Sequence, residues 1–278
     1  MTLPSTFAGL AVTGIGSNAF ANCTNLTGVT IPASITSIGT NAFYDCTKLA
    51  SVTIPTSVTN IGAMAFASCT NLSSITLPAS ITSIAASLFQ NCTGLTNVII
   101  PASITSIGTN AFYDCTSLAS VTLPASVTNI GAMAFASCTN LSNITLPTNI
   151  TSIAASLFQN CTGLTNVIIP ASVTNIGASA FQSCTSLVSV TIPASVTGIG
   201  NNAFWLCTNL TSVNFQGNAP SLGSSVFSTN NHTTAYYLPG TKGWGATYGG
   251  IPAACQYGTI MIFCIFFSVQ HRFPTTRF

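Results

Sequence analysis

At 278 residues the chain is long enough for a globular domain or a stack of smaller units, yet it holds only two acidic side chains, Asp45 and Asp114, and four basic ones. So little charge argues against nucleic acid, whose affinity comes mainly from several lysine or arginine contacts to phosphate, and against an anionic membrane surface. Hydrophobic residues reach 47%, but the longest apolar run, "IMIFCIFF" at 260 to 267, is too short to cross a bilayer as a helix, which takes about 20 residues, so no stable membrane span is expected.

The first segment, "MTLPSTFAGLAVTGIGSNAF", lacks the basic region and apolar run of a secretory signal. Pro4 stands sixteen residues before Phe20 where later units have eleven, so this reads as a longer first coil with its upstream strand missing, and the natural chain is expected to start earlier. From Cys23 onward the cysteines keep one step of 23 residues, through Cys46, Cys69, Cys92, Cys115, Cys138, Cys161 and Cys184 to Cys207. Proline repeats the step from Pro32 to Pro193, and phenylalanine from Phe20 to Phe204 and on to Phe227. Each period is one structural unit that contacts only its neighbours. Residues 32 to 100 and 101 to 169 differ at six of 69 positions, so three units were copied together.

One period illustrates the expected elements. In "LASVTIP", residues 49 to 55, Val52 and Ile54 alternate with Ser51 and Thr53 as in a half-buried strand, and Pro55, without an N–H, ends the ladder. "SVTNIG", residues 57 to 62, is a second short extended segment with Val58 and Ile61 inward, and Gly62 is expected to take the backbone angles of a tight bend. "AMAFASC", residues 63 to 69, brings Ala65, Phe66 and Cys69 inward at spacings of three and four, as one turn of 3₁₀ or α helix would. The expected fold is a mainly β repeat solenoid of parallel 23-residue coils with short 3₁₀ or helical turns.

Residues 1–215 make about nine such coils. Over 216–252 the register survives in a degenerate tenth coil and cap: Phe227 holds the phenylalanine place, Asn230 the cysteine place, and Leu238 with Pro239 the end of a strand. From 253 to 278 the composition fits neither repeat nor cap. That segment reads as a frameshifted or foreign tail, with a short membrane contact as the alternative.

The pattern of "IPTSVTNIGAMAFASCTNLSSI", residues 54 to 75, resembles the leucine-rich repeats of the BspA type, and the likeness runs over about 240 residues. "GTKGWGATYGG", residues 240 to 250, is similar to the closing segment of bacterial members. The resemblance implies a parallel solenoid, mostly found on surface or secreted proteins and used for adhesion and protein binding. It supplies no catalytic residues.

Coils stack about 4.8 Å apart, so sulfurs in one column favour buried free thiols over disulfides, and a line of equally spaced sulfurs does not offer zinc its tetrahedron. Asp45 and Asp114 stand three coils apart and cannot share one reacting bond. His232 and His271 lie in the degenerate coil and the tail, without a repeated nucleophile and third partner. No catalytic, cofactor-binding or metal-binding residue is assigned, and no enzyme activity is expected. Asn-x-Ser/Thr matches such as those at Asn22, Asn25, Asn160 and Asn209 arise by chance in a chain this rich in Asn, Ser and Thr.

The outer face remains. Its first-strand row is Thr53, Thr76, Ile99, Thr122, Thr145, Ile168 and Thr191, and a second-strand row runs through Thr36, Thr59, Thr82, Thr105 and Thr128. Threonine forms strands well and stays wet on an outer face, so the rows alone need no ligand. The functional reading is an extracellular or cell-surface module that binds a partner protein through the first row. The alternative is binding of ice or a polysaccharide by a flat threonine face, and an uncapped end would allow oligomerisation. Fallback faces are the second row and the degenerate coil around Tyr236, Tyr237 and Trp244.

Overall fold

The computed structural model describes residues 1–256, and the 257–278 part of the tail, with His271 and the run at 260 to 267, lies outside the described residues. Strands of two to five residues follow one another through the chain and pair almost entirely with the strand one period away. The first strand of each coil, such as Ser51–Thr53, Ser120–Thr122 or Asn143–Thr145, lies parallel to its neighbour with partners 23 residues apart, as in Val52 with Val29 and Ile144 with Val121. The middle residue of each is buried and the flanking two exposed, which is the alternation read from the sequence. Second strands such as Asn60–Ile61 and Ser106–Ile107 stack in the same register.

The third side of each coil corrects two expectations. It is not a helical turn but a chain of β-turns: Ala65, Ala67 and Cys69 donate their N–H groups to the carbonyls of Gly62, Met64 and Phe66. Helix is broken because Met64 and Ser68 sit in the left-handed region, with φ of 55° and 60°. A positive φ at the third residue of a four-residue turn is the type II arrangement. Every coil repeats this pair of positions, often with Asn or Asp, which tolerate that region best among residues other than glycine. The helix and the turn chain share inward spacings of three and four, so Ala65, Phe66 and Cys69 are buried as read.

Gly62, in turn, is not needed for a bend, since its φ is not left-handed. A Cβ there would lie 2.5 Å from the backbone nitrogen of Thr40 in the preceding coil. Glycine at this place lets coils approach.

Phenylalanine rings stack into a column from Phe20 to Phe227, with centroids 5.2 to 6.1 Å apart. At the carboxyl end the antiparallel strands Thr247–Tyr248 and Ile251–Cys255 close the first sheet, the second of them reaching three residues into the segment whose composition departs from the repeat. Trp244 stacks on Tyr237 at 4.9 Å, and the Tyr248 hydroxyl donates to the Pro220 carbonyl at 2.5 Å. These aromatics cover the apolar end that a further coil would otherwise bury.

Candidate interaction face

The interior is committed to packing. The eight cysteines from Cys46 to Cys207 are buried and unpaired with one another, and each thiol donates to the carbonyl of the phenylalanine 26 residues earlier, as Cys69 does to Phe43 at 3.2 Å. Burial pushes these thiols up, to about 11 at Cys46 and about 12 at Cys92, Cys161 and Cys207, so they are poor nucleophiles. Asp45 and Asp114 occupy the second left-handed position of their turns and are half-buried, and burial raises the Asp114 carboxyl. His232 is exposed.

The first-strand row lies where the sequence placed it. Thr53, Thr76, Ile99, Thr122, Thr145, Ile168 and Thr191 are all exposed, and register pairs such as Thr76 with Ile99 and Thr145 with Ile168 set them side by side. Asn214 and Tyr236 continue the line toward the cap. Two residues earlier on each strand runs a second exposed row, Ser51, Ser74, Asn97, Ser120, Asn143, Asn166 and Ser189. Sequence reasoning passed over this row, although the strand period of two places it on the same face.

The two threonine rows differ in what their hydroxyls do. Directly before the second strands, Thr36, Thr59, Thr105 and Thr128 donate to the carbonyls of Thr13, Thr36, Thr82 and Thr105, one coil back. Among the described residues, the hydroxyls of Thr53, Thr76, Thr122, Thr145 and Thr191 make no bond to the protein.

The first sheet is also not continuous. Gly28–Thr30 pairs with Ser51–Thr53, Ser74–Thr76 pairs with Asn97–Ile99, and the long sheet begins only at Ser120–Thr122. A groove of about 460 Å³ opens at the first division, between Thr53 and Thr76, and one of about 410 Å³ at the second, between Ile99 and Thr122. A third, of about 310 Å³, lies between Ile168 and Thr191, where a single register pair joins the strands. Ile99 and Ile168, beside two of these grooves, are 53% and 68% exposed.

Parallel coils, one inward side chain per short strand and a buried column of identical residues define a leucine-rich repeat solenoid. The chain belongs to the family described as the BspA type leucine rich repeat region, whose model matches residues 13–142 and 105–234. A leucine-rich repeat protein from Bacteroides ovatus is similar in structure, with 26% identity and a TM-score of 0.61 over 85% of this chain and 62% of that one. The chain thus spans about 62% of the length of that relative. A leucine-rich repeat protein from Eubacterium ventriosum shares the fold at 23% identity and a TM-score of 0.53, covering 80% of this chain and 81% of its own. The leucine-rich repeat protein of T. pallidum is 31% identical over 67% of this chain and 76% of that one, with a TM-score of 0.47. No curated protein sequence matches the chain. Among the described residues, no helix is long and apolar enough to cross a membrane.

Proposed function

We propose that this chain is a noncatalytic interaction module, secreted or displayed at the cell surface, that binds a partner protein through the first-strand face. One observation carries the choice of face. The hydroxyls of Thr53, Thr76, Thr122, Thr145 and Thr191 are exposed and make no bond within the described residues, whereas four of the second-row threonines spend theirs on neighbouring coils. A solenoid supplies such a face as an extended surface. With no charged side chain on these strands, recognition falls to hydrogen bonds and apolar contact. Membership of a family used mostly at cell surfaces supports the location. Ice recognition gains from an unbroken hydroxyl row, and Ile99 and Ile168 interrupt this one, which favours a protein partner over ice.

The test is a protein array and a glycan array screened with the purified chain, followed by affinities for each hit. Lysine at Thr53, Thr76 and Thr122 together is expected to abolish binding, while lysine at Thr59, Thr82 and Thr128 leaves it largely intact. A hit that binds the first triple variant as well as the parent chain overturns the assignment. Thermal hysteresis by the parent chain would favour ice instead.

A further inference from the structure

We infer that the solenoid is built of three blocks that hinge against one another at two joints, each opening on the second-strand side. Counting coils by their phenylalanine from Phe20 to Phe227, the blocks are coils 1–3, 4–6 and 7–10. The inference is independent of which face binds a partner.

The second sheet is divided twice. Its strands run from Gly14–Ile15 to Asn60–Ile61, from Ser83–Ile84 to Asn129–Ile130 and from Ser152–Ile153 to Ser221–Leu222, and no register pair joins these groups among the described residues. The bonds that flank each strand stop at the same places. Thr105 and Gly108 donate their N–H groups to the Thr82 and Ile84 carbonyls, and Thr128 and Gly131 to those of Thr105 and Ile107, at 2.8 or 2.9 Å. Among the described residues, the N–H groups of Thr82, Ala85, Thr151 and Ala154 make no such bond. Nor do the hydroxyls of Thr82 and Thr151, although Thr36, Thr59, Thr105, Thr128, Thr174 and Thr197 all donate theirs one coil back.

Each joint is a wedge. Ala85 and Ala154 stand where the other coils have glycine, and a Cβ at Gly62 or Gly131 would lie 2.5 Å from a backbone nitrogen of the preceding coil, so the alanine methyl holds this side open. The opposite corner closes. Gly94 and Gly163 stand where neighbouring coils carry Asn71, Ser117, Asn140 or Ser186, and a Cβ there would lie 2.3 and 2.5 Å from the Thr70 and Thr139 carbonyl oxygens. The turn-side bonds record the tilt. Met64 and Phe66 donate to Ala86 and Leu88 at 3.1 Å and Ser68 to Gln90 at 2.7 Å, against 3.0, 2.8 and 2.9 Å for Asn110, Phe112 and Asp114 in an ordinary step. The pivot is therefore the corner from Ser68 to Gly94, where the backbones are closest, and opening breaks no backbone bond on the second-strand side. Exposed Thr59 and Thr82 leave the groups at that edge to water. A few such residues suffice for a hinge. The first joint is the freer, because the first sheet is also divided there, whereas Ser120–Thr122 and Asn143–Thr145 keep three register pairs across the second. Residues 32 to 100 and 101 to 169 are near copies, so the copied unit carries its joint with it.

The test pairs amide hydrogen exchange with pulsed electron-spin distance measurements on the whole chain. Spin labels are attached through Ala33→Cys and Ala171→Cys, exposed positions that span both joints, with Cys23→Ser, Cys255→Ser and Cys264→Ser to remove competing thiols. In the parent chain the amides of Thr82, Ala85, Thr151 and Ala154 should exchange about a hundredfold faster than those of Thr105, Gly108, Thr128 and Gly131, and the label distances should spread broadly. Ala85→Gly, Leu88→Ala, Ala154→Gly and Leu157→Ala together give the joint coils the residues of their neighbours, and should protect the amides at both joints and narrow the distribution. Should that variant fail to fold, Ala85→Gly with Ala154→Gly takes its place, with the same expectation. Equal exchange at all eight positions of the parent overturns the joints. A distribution as narrow in the parent as in the variant leaves a fixed bend at each joint and overturns the hinge.

Discussion

The ring of Phe66 lies 6.0 Å from that of Phe89, whereas Phe112 and Phe135 stack at 5.2 Å. The same widening, to 6.1 Å, separates Phe135 from Phe158. In both wide steps the later coil replaces the close-approach glycine by alanine, Ala85 or Ala154, and the small residue before phenylalanine by Leu88 or Leu157. The backbone bond across the step lengthens too, from 2.8 Å for Phe112 N–H to Ala134 to 3.1 Å for Phe66 N–H to Leu88. Coil spacing is thus set locally by what fills the gap.

Gly131→Ala should therefore push its coil away from the preceding one. A Cβ at Gly131 would meet the Thr109 backbone nitrogen at 2.5 Å. Overpacking of this kind costs about 1 to 3 kcal/mol, read as a lower denaturation midpoint. A crystal structure of the variant should show the Phe112 to Phe135 step approaching 6 Å. An unchanged step would assign the widening to Leu88 and Leu157 alone.

The thiol column makes stability fall in alkali. Burial raises the folded thiols above their ordinary range, to about 11 or 12 at Cys46, Cys92, Cys161 and Cys207, while the unfolded chain ionises near pH 9. Above that pH the folded state holds more protons than the unfolded one, so stability is complete below about pH 9 and declines as pH rises toward the folded values. Each such thiol contributes about 1.4 kcal/mol per pH unit in that window. Melting temperature should drop steeply between pH 9 and 11, and replacing Cys92 and Cys161 by alanine should flatten the slope. In the native chain at pH 8, the eight buried thiols should resist labelling while exposed Cys23 reacts.

Phe112→Ala should cost about 3 to 5 kcal/mol, as for other fully buried aromatics. The ring touches both Phe89 and Phe135 in the column, so amide hydrogen exchange should rise first in the two flanking coils. Uniform loss of protection across all coils would contradict neighbour-only coupling.

At the tenth rung Asn230 donates its side-chain N–H to the Phe204 carbonyl at 2.8 Å, the role that Cys207 plays toward Phe181. Asn230→Ala removes that bond, leaving the carbonyl only the Cys207 N–H at 3.3 Å, and should cost about 0.5 to 1.5 kcal/mol, whereas Asn230→Cys should recover most of the loss. Chemical denaturation of the two variants separates donor from bulk.

The period, the inward side chains of Val52, Ile54 and Phe66 and the place of Asn230 were legible because identical coils must bury identical positions. Three features were not. A helical turn and a chain of β-turns bury the same spacing of residues, and only the φ of Met64 and Ser68, neither of them glycine, tells them apart. The role of Gly62 depends on Thr40, a residue of another coil. The divisions of the first sheet beside Thr53 and Ile99 lie between strands of two different coils, which one coil's sequence does not contain. On the face itself, both rows of threonine look alike in sequence, and only the acceptors offered by the preceding coil distinguish them.

That distinction gives the last prediction. Thr105 and Thr128 donate to the carbonyls of Thr82 and Thr105, while Thr122 and Thr145 make no such bond among the described residues. Thr→Val keeps the shape and strand preference and removes only the hydroxyl. At Thr105 and Thr128 the substitution should cost about 0.5 to 1.5 kcal/mol each, the usual net worth of one hydrogen bond. At Thr122 and Thr145 it should change stability by no more than about 0.5 kcal/mol, as outward surface changes do. Binding should show the reverse order, with ligand affinity lost at Thr122 and Thr145 and kept at Thr105 and Thr128. Denaturant melts and affinities on the same four proteins decide it: equal stability losses in both rows would mean that the first-row hydroxyls serve the fold, and the case for that face as the recognition surface would go with them.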